Sequence, residues 1–371
     1  MMKKAFQLIK KGIHNPHRVI PFIRNQSIPG LLSLYGRAYR AKSSAADQRE
    51  RIYEFIDSND EFVLVVLDAC RFDVFESVIG NYLMGDLESV WSPGSLTPQW
   101  GPEMWTSEYD LTYISSNPII GDFEYKPRNS DFGYTTFCAA DHVERFIDAY
   151  SFAWDDEVES VYPSDMTDIV LQEAARDRPT RLVAHYLQPH LPFIGEEGFS
   201  HYVLDHQEQE FGRDYSPEER RSFLEANSEI SLEEALEYDV TWSDELKYDL
   251  EISNSGGRGY QALLREDIVT DEDIWRGYTD NLEIALNEIR RLARHVDCPV
   301  VITSDHGEFL GEFGIYDHPQ IVHPILREVP WFEVDKSEIG IEDNTFDPVN
   351  REHKSIDDDG VRGRLSDLGY L

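Results

Sequence analysis

The sequence predicts an α/β protein built on a mostly parallel sheet, and three observations lead there. Apolar, β-branched runs recur at 62–67, 182–187 and 300–303, as expected of strands buried on both faces. Stretches of helical periodicity separate them. In the clearest, Ile274 to Ala293, the residues Ile274, Tyr278, Leu282, Ala285, Ile289 and Leu292 fall on one side. Each run also stops abruptly at polar residues: Asp68, then Pro189-His190, then Asp305-His306-Gly307. Strands alternating with helices imply parallel pairing, and ligands of such sheets bind beyond the carboxyl ends of the strands.

In order along the chain, the first segment breaks the rule of the whole. Residues 1–42 contain nine Lys and Arg and no acid, so the remainder carries about −46 of a net −37. Met2 to Ile13 reads as a short amphipathic helix, with Phe6, Leu8, Ile9 and Ile13 set against four lysines and Pro16, Pro21 and Pro29 following. One reading is an arm docked by charge on its own acidic body or on a second subunit. The other is peripheral contact of residues 1–42 with an anionic membrane surface. After the strand 62–67 a helix is expected from Arg71 to Ile79. Ser92 to Thr97 form a turn-rich approach to a helix starting near Pro98, since proline suits a first helical turn. Residues 195–270 are acidic and aperiodic, a surface insertion. Val329 to Val334 is a further strand, and the polar end carries Asp357-Asp358-Asp359. The expected organisation is a basic arm (1–45), a catalytic domain (46–336) with that insertion, and a polar acidic tail (337–371).

Composition narrows the setting. Seventy-one Asp and Glu stand against 34 Lys and Arg, and only four lysines follow residue 42. The acid is dispersed among aromatic and β-branched residues, which suits a folded protein kept soluble at high salt, where the Debye length falls to about 3 Å. A halophilic, archaeal origin is expected, and a general nucleic-acid binder is not. Cys70, Cys138 and Cys298 lack metal-type spacing and are odd in number, so no disulfide framework is implied. No run reaches the length of a transmembrane helix and no signal peptide is visible. The expected location is cytoplasmic, with contact at a membrane surface.

Asp305 and His306 pair a hard ligand with a borderline one, a combination suited to Zn²⁺ or Mn²⁺; an ordinary strand-ending turn is the alternative. Asp68 ends an apolar strand, where a carboxylate is costly to bury without a metal or a cation. It is read either as a metal ligand, oriented by Arg71 or Asp73, or as the salt-bridge partner of Arg71. Thr97 precedes a helix start and serves either as an N-cap or as a metal-activated nucleophile, with Ser95 competing.

These residues resemble the alkaline phosphatase superfamily, in its sulfatase-like and single-metal lipid-phosphotransferase branches (lipoteichoic acid synthase-like and phosphoethanolamine transferase-like). Leu67-Asp68-Ala69-Cys70-Arg71-Phe72-Asp73 resembles the first metal-ligand segment of sulfatases. His185-Tyr186-Leu187-Gln188-Pro189-His190 resembles their substrate-histidine segment, and Ser304-Asp305-His306-Gly307-Glu308 matches best. The resemblance spans roughly 60 to 335 and rests on three short motifs. It implies a three-layer αβα sandwich and one divalent metal (Zn or Mn, with Mg or Ca as alternatives) held by Asp68, Thr97, Asp305 and His306. It also implies that His190 and His318 contact the phosphate or sulfate oxygens, with His323 able to replace His318. A loop histidine and a surface histidine are the plainer readings, and His185 is a further candidate.

The chain departs from type I sulfatases in two ways. It lacks their formylglycine segment, and Ala69 replaces their second aspartate. Both favour an unmodified hydroxyl nucleophile acting on a small-molecule, lipid-linked or glycan-linked ester. The expected function is metal-dependent hydrolysis or transfer of a phosphate (or sulfate) ester. A sulfatase without formylglycine and a catalytically silent scaffold at the membrane surface are the alternatives.

Overall fold

The computed structural model describes residues 28–121, 137–155, 158, 160–176, 178–195 and 270–339. The expected helix over 2–13, most of the basic arm, the acidic insertion and nearly all of the tail lie outside the described residues. In chain order the elements are α1 (Ile28–Arg40), β1 (Ala46–Asp47), α2 (Gln48–Ser58), β2 (Phe62–Asp68), α3 (Phe72–Val78), β3 (Gly85–Trp91), α4 (Thr97–Met104), β4 (Tyr109–Ser115), β5 (Val143–Asp148), α5 (Ala149–Phe152), β6 (Trp154–Asp155), β7 (Ser160–Val161), α6 (Pro163–Ala174), β8 (Arg181–Pro189), α7 (Asp271–His295), β9 (Val300–Ser304), α8 (Pro324–Arg327) and β10 (Glu328–Val334).

Eight strands form one sheet in the order β1-β3-β10-β9-β2-β8-β4-β5. From β9 to β5 every neighbouring pair is parallel, whereas β10 runs antiparallel to both β3 and β9. The sheet is therefore mostly parallel, as expected, with one reversed strand. β2 lies at its centre and explains why residues 62–67 show no alternation. Val63, Val65 and Leu67 enter one core with residues of α3, α6 and α7. Phe62, Leu64 and Val66 enter the other with residues of α2 and α4. Both faces are covered, which is the three-layer arrangement, and each such side chain contributes about 1.5–3 kcal/mol on burial.

α7 begins at Asp271 because Thr270 and Asp273 form a capping box, and its first turn carries three acids that complement the helix dipole. Its apolar side is buried as expected. The same helix sends two polar side chains to the carboxyl end of the sheet. The Tyr278 hydroxyl donates to the Ala69 carbonyl at 2.6 Å and accepts from the Arg71 amide at 2.9 Å. Asn281 Nδ2 lies 3.2, 2.9 and 3.2 Å from the carbonyls of Pro189, His190 and Pro192. One helix thus fixes the loops after both β2 and β8.

α1 packs against the chain just before α8. Leu32 shares a small apolar cluster with Phe309, Ile321 and Leu326. Gly36 is required there, because a Cβ would overlap the Val322 carbonyl.

Candidate metal centre

The carboxyl ends of β9, β2, β8 and β4 are consecutive in the sheet, so the polar residues that end them converge. Backbone geometry sharpens the convergence after β2. Ala69 has φ 60°, a left-handed conformation that costs a non-glycine residue about 1–2 kcal/mol. That turn directs the Ala69 amide onto Asp305 Oδ1 at 3.0 Å, and the Tyr278 bonds hold it.

Asp68, Thr97, Asp305 and His306 are all fully buried and meet at one point. Thr97 Oγ1 donates to Asp305 Oδ2 at 2.7 Å and lies 3.3 Å from His306 Nε2. His306 Nε2 is 3.5 Å from both Asp68 Oδ1 and Asp305 Oδ2. Because His306 Nδ1 lies 2.9 Å from the Gly307 carbonyl, which can only accept, the proton sits on Nδ1 and Nε2 presents its lone pair to the carboxylates. Burial, with His318 nearby, holds the His306 pKa well below its ordinary value, so the ring is neutral. Burial, then the Asp305 and Glu308 carboxylates, push Asp68 well upward.

Two carboxylates buried beside a neutral imidazole are costly to hold unless a cation joins them. Asp68 Oδ2 accepts from Asn117 Nδ2 at 2.7 Å, yet Asp68 Oδ1 is buried without a hydrogen-bond partner. Among the described residues the ligand atoms of Asp68, Asp305 and His306 lie within 4.8 Å of one another. Two carboxylate oxygens, an imidazole nitrogen and a hydroxyl fit a divalent ion.

His190 and Glu308, both buried, and the half-buried His318 form a second group alongside. The His318 ring is 4.6 Å from that of His306 and 5.3 Å from that of His190. Burial pulls the His318 pKa down, but Asp317, with Nδ1 3.4 Å from its Oδ1, and Glu308, 3.7 Å away, outweigh it and raise it to about 8. Burial lowers the His190 pKa. The pair thus offers one protonated and one neutral imidazole near pH 7.

Three expectations need correction. Arg71 does not bridge to Asp68: its guanidinium bonds Asp73 at 2.7 Å and Glu312 at 2.6 Å and lies over the Trp275 ring. Asp68 faces away from it, across the left-handed turn at Ala69, and is oriented by Asn117 instead. His323 cannot replace His318, because Nδ1 caps α8 by accepting from the Ile325 amide at 3.3 Å and its ring packs against Phe309. Thr97 is not an N-cap; it is the first residue of α4, after Leu96, and its hydroxyl turns to Asp305. Ser95 is buried, but its hydroxyl donates to Gln99 at 3.3 Å.

His185 lies behind the cluster. Its Nδ1 is 2.8 Å from the Tyr113 hydroxyl and its Nε2 is 3.8 Å from Asp305 Oδ2, beyond hydrogen-bond reach. Burial lowers its pKa to about 4, so it lines the carboxylate as a neutral ring.

Sequence reasoning missed Asn117 and Glu308. Asn117 follows β4, a strand whose apolar residues are interleaved with Asp110 and Thr112 and gave no clear signal. Glu308 stood within the Asp-His-Gly-Glu motif, and an acid between His306 and the apolar pair Phe309-Leu310 was its available mark.

No protein-family model matches the chain, and no curated protein sequence matches it. Solved structures are similar at low identity. The integral membrane lipooligosaccharide phosphoethanolamine transferase A of Neisseria meningitidis is 14% identical over 89% of this chain, with a TM-score of 0.40. The C-terminal periplasmic domain of a Campylobacter jejuni phosphoethanolamine transferase is 15% identical over 74% of this chain and 78% of its own, at 0.38. A 2-O GAG sulfatase is 13% identical over 74% of this chain and 64% of its own, at 0.37. The chain spans 59% of the length of the Neisseria transferase. Likeness this shallow carries no argument about activity, so function has to be read from the side chains themselves.

Proposed function

We propose that the protein is a metal-dependent phosphoester hydrolase or transferase with Thr97 as its nucleophile. Asp68, Thr97, Asp305 and His306 would hold one divalent ion. When bound, such an ion polarises a nonbridging oxygen of the ester and lowers the pKa of a hydroxyl. The observation that carries the reading is the Thr97 hydroxyl 2.7 Å from Asp305 Oδ2 and 3.3 Å from His306 Nε2, beside the unpartnered oxygen of Asp68.

The residues then divide the work. Thr97 Oγ1 attacks phosphorus in line, and its proton passes along the existing hydrogen bond to Asp305 Oδ2. The new bond joins phosphorus to Thr97 Oγ1, and the bond to the leaving oxygen breaks. Protonated His318 gives that oxygen its proton, while His190 helps to stabilise the charge developing on the phosphoryl oxygens. Water or an acceptor alcohol then attacks the phosphothreonine and gives its proton to the now neutral His318, while the bond from phosphorus to Thr97 Oγ1 breaks and Asp305 Oδ2 returns the proton that restores the hydroxyl. Asn117 keeps Asp68 turned inward, and Tyr278 and Asn281 hold the two loops.

The test is a panel of phosphodiesters, phosphomonoesters and sulfate esters assayed with Mn²⁺ or Zn²⁺. Phosphodiester turnover is expected, lost in Thr97→Ala and retained in Ser95→Ala. Loss confined to the Ser95 variant would move the nucleophile, and turnover of sulfate esters alone would replace phosphorus by sulfur. No turnover of any ester by a metal-loaded protein would leave the silent scaffold.

A further inference from the structure

Helix α1 is apolar on two sides. One side packs on the body through Leu32 and Gly36. The other carries Leu31, Leu34, Tyr35 and Ala38, spaced i, i+3, i+4 and i+7 along one outward face. Leu31 is 66% exposed, Leu34 65% and Tyr35 54%, and Ala38 is exposed as well. A distant segment extends this face. Phe313 is 57% exposed, and its ring lies 6.0 Å from that of His323, which is itself 5.5 Å from the ring of Tyr35. Of the five large apolar side chains most exposed among the described residues, these are four; the fifth is Met84. The exposure is therefore concentrated in one patch rather than scattered, and a concentrated apolar patch marks an interaction surface.

Charge says what covers it. Arg37, Arg40 and Lys42 follow on the same segment, and the first acid of the chain is Asp47. Nine Lys and Arg fall within residues 1–42, while the remainder carries about −46. An apolar helical face followed along its own segment by cations, on a body otherwise strongly negative, is complementary to an anionic lipid surface. A second copy of the chain would bring one net −37 body against another. The patch also has a defined relation to the candidate site. Phe313 adjoins Glu312, which holds Arg71 at 2.6 Å, and it lies on the loop between His306 and His318.

We propose that Leu31, Leu34, Tyr35, Ala38 and Phe313 seat the protein on an anionic bilayer, with the loop carrying His306, Glu308 and His318 turned to that surface. α1 docks by this exposed side while its other side stays packed on the body, and Phe313 enters the lipid from the site loop. The inference stands apart from the proposed chemistry, because vesicle binding is read without turnover.

The test is co-sedimentation of the full chain with phosphatidylglycerol-containing vesicles and with pure phosphatidylcholine vesicles. It is run at the lowest KCl concentration at which circular dichroism shows the chain folded. Binding to the anionic vesicles is expected, weakened roughly tenfold or more in Leu34→Asp/Tyr35→Asp/Phe313→Asp and several-fold in Arg37→Glu/Arg40→Glu. A fluorescent probe on Leu34→Cys, in a Cys138→Ser background, should shift to the blue with anionic vesicles only, and needs no destabilising change. Undiminished binding of the triple aspartate variant would overturn the proposal, since the basic arm alone would then account for it. Absence of binding, equal binding to neutral vesicles, or a probe that does not respond would overturn it too. So would a concentration-dependent dimer that the same substitutions abolish, which would make a second copy the occupant.

Discussion

Thr97 and Asp305, 208 positions apart in the chain, are joined by a 2.7 Å hydrogen bond from Oγ1 to Oδ2. The bond exists because α4 starts at Thr97 on one side of the sheet while β9 delivers Asp305 at its carboxyl end. The other carboxylate oxygen of Asp305 is held by two amides, those of Ala69 at 3.0 Å and His306 at 2.7 Å. The carboxylate is thereby fixed in orientation, with Oδ2 turned to the Thr97 hydroxyl.

Asn117 should matter for metal affinity as well as for folding, since its Oδ1 also accepts from the Ile119 amide at 2.8 Å. Its amide is the hydrogen-bond partner that turns Asp68 inward, at 2.7 Å. Asn117→Ala is expected to weaken metal binding roughly 10- to 100-fold, the usual cost of losing a group that orients a ligand. Isothermal titration with Zn²⁺ or Mn²⁺ measures this; unchanged affinity would remove Asn117 from the account.

Tyr278 should matter for folding and site together. Its hydroxyl serves the Ala69 carbonyl and the Arg71 amide, both buried beside the left-handed turn. Tyr278→Phe leaves these groups unsatisfied, and a loss of about 1–3 kcal/mol is expected. Urea unfolding gives the stability, and metal titration of the same variant reports whether the turn has relaxed.

Much of this fold could be read from the residues, and the exceptions have physical reasons. β2, β9 and α7 are visible because they are buried along their whole length or along one full face, so their patterns are undiluted. β4 and β5 lie toward one edge of the sheet, with polar and apolar residues mixed, and without β4 there was no reason to single out Asn117. Asp68, Thr97, Asp305 and His306 could be chosen because each ends or begins an element at the same edge of the sheet. The partner of Arg71 could not: Asp68 is nearer in sequence than Glu312, and only the left-handed turn at Ala69 sends the two apart. His323 stands directly before Pro324, a helix-start signal that marks it as the cap of α8.

Acid should destabilise the docking of α1. Burial lowers the His323 pKa to about 4, against an ordinary 6.5, so the fold favours the neutral ring. The stability this contributes is complete above pH 6.5 and is lost as pH falls through about 4, worth roughly 1–2 kcal/mol after allowance for solvent screening. The buried imidazoles of His185, His190 and His306 act in the same direction, so the informative quantity is a difference. His323→Asn keeps a capping side chain, and its unfolding free energy is expected to fall less between pH 6.5 and 4 than that of the wild type. Parallel curves would contradict the assignment.

Salt should favour the folded chain. With a net charge of −37, carboxylate repulsion across the surface is relieved as the Debye length shrinks to about 3 Å near 1 M salt. The melting temperature is expected to rise steadily with KCl into the molar range, by scanning calorimetry. A flat or falling profile would detach the acidic composition from a saline setting.

The most direct test of the central claim is metal stoichiometry by calorimetric titration, with elemental analysis of the loaded protein. The geometry predicts one tightly held dication at Asp68, Thr97, Asp305 and His306 in the wild type, and loss of that site in His306→Ala and Asp305→Asn with both variants still folded. Uptake by the two variants equal to that of the wild type, or no uptake by the wild type, would contradict it.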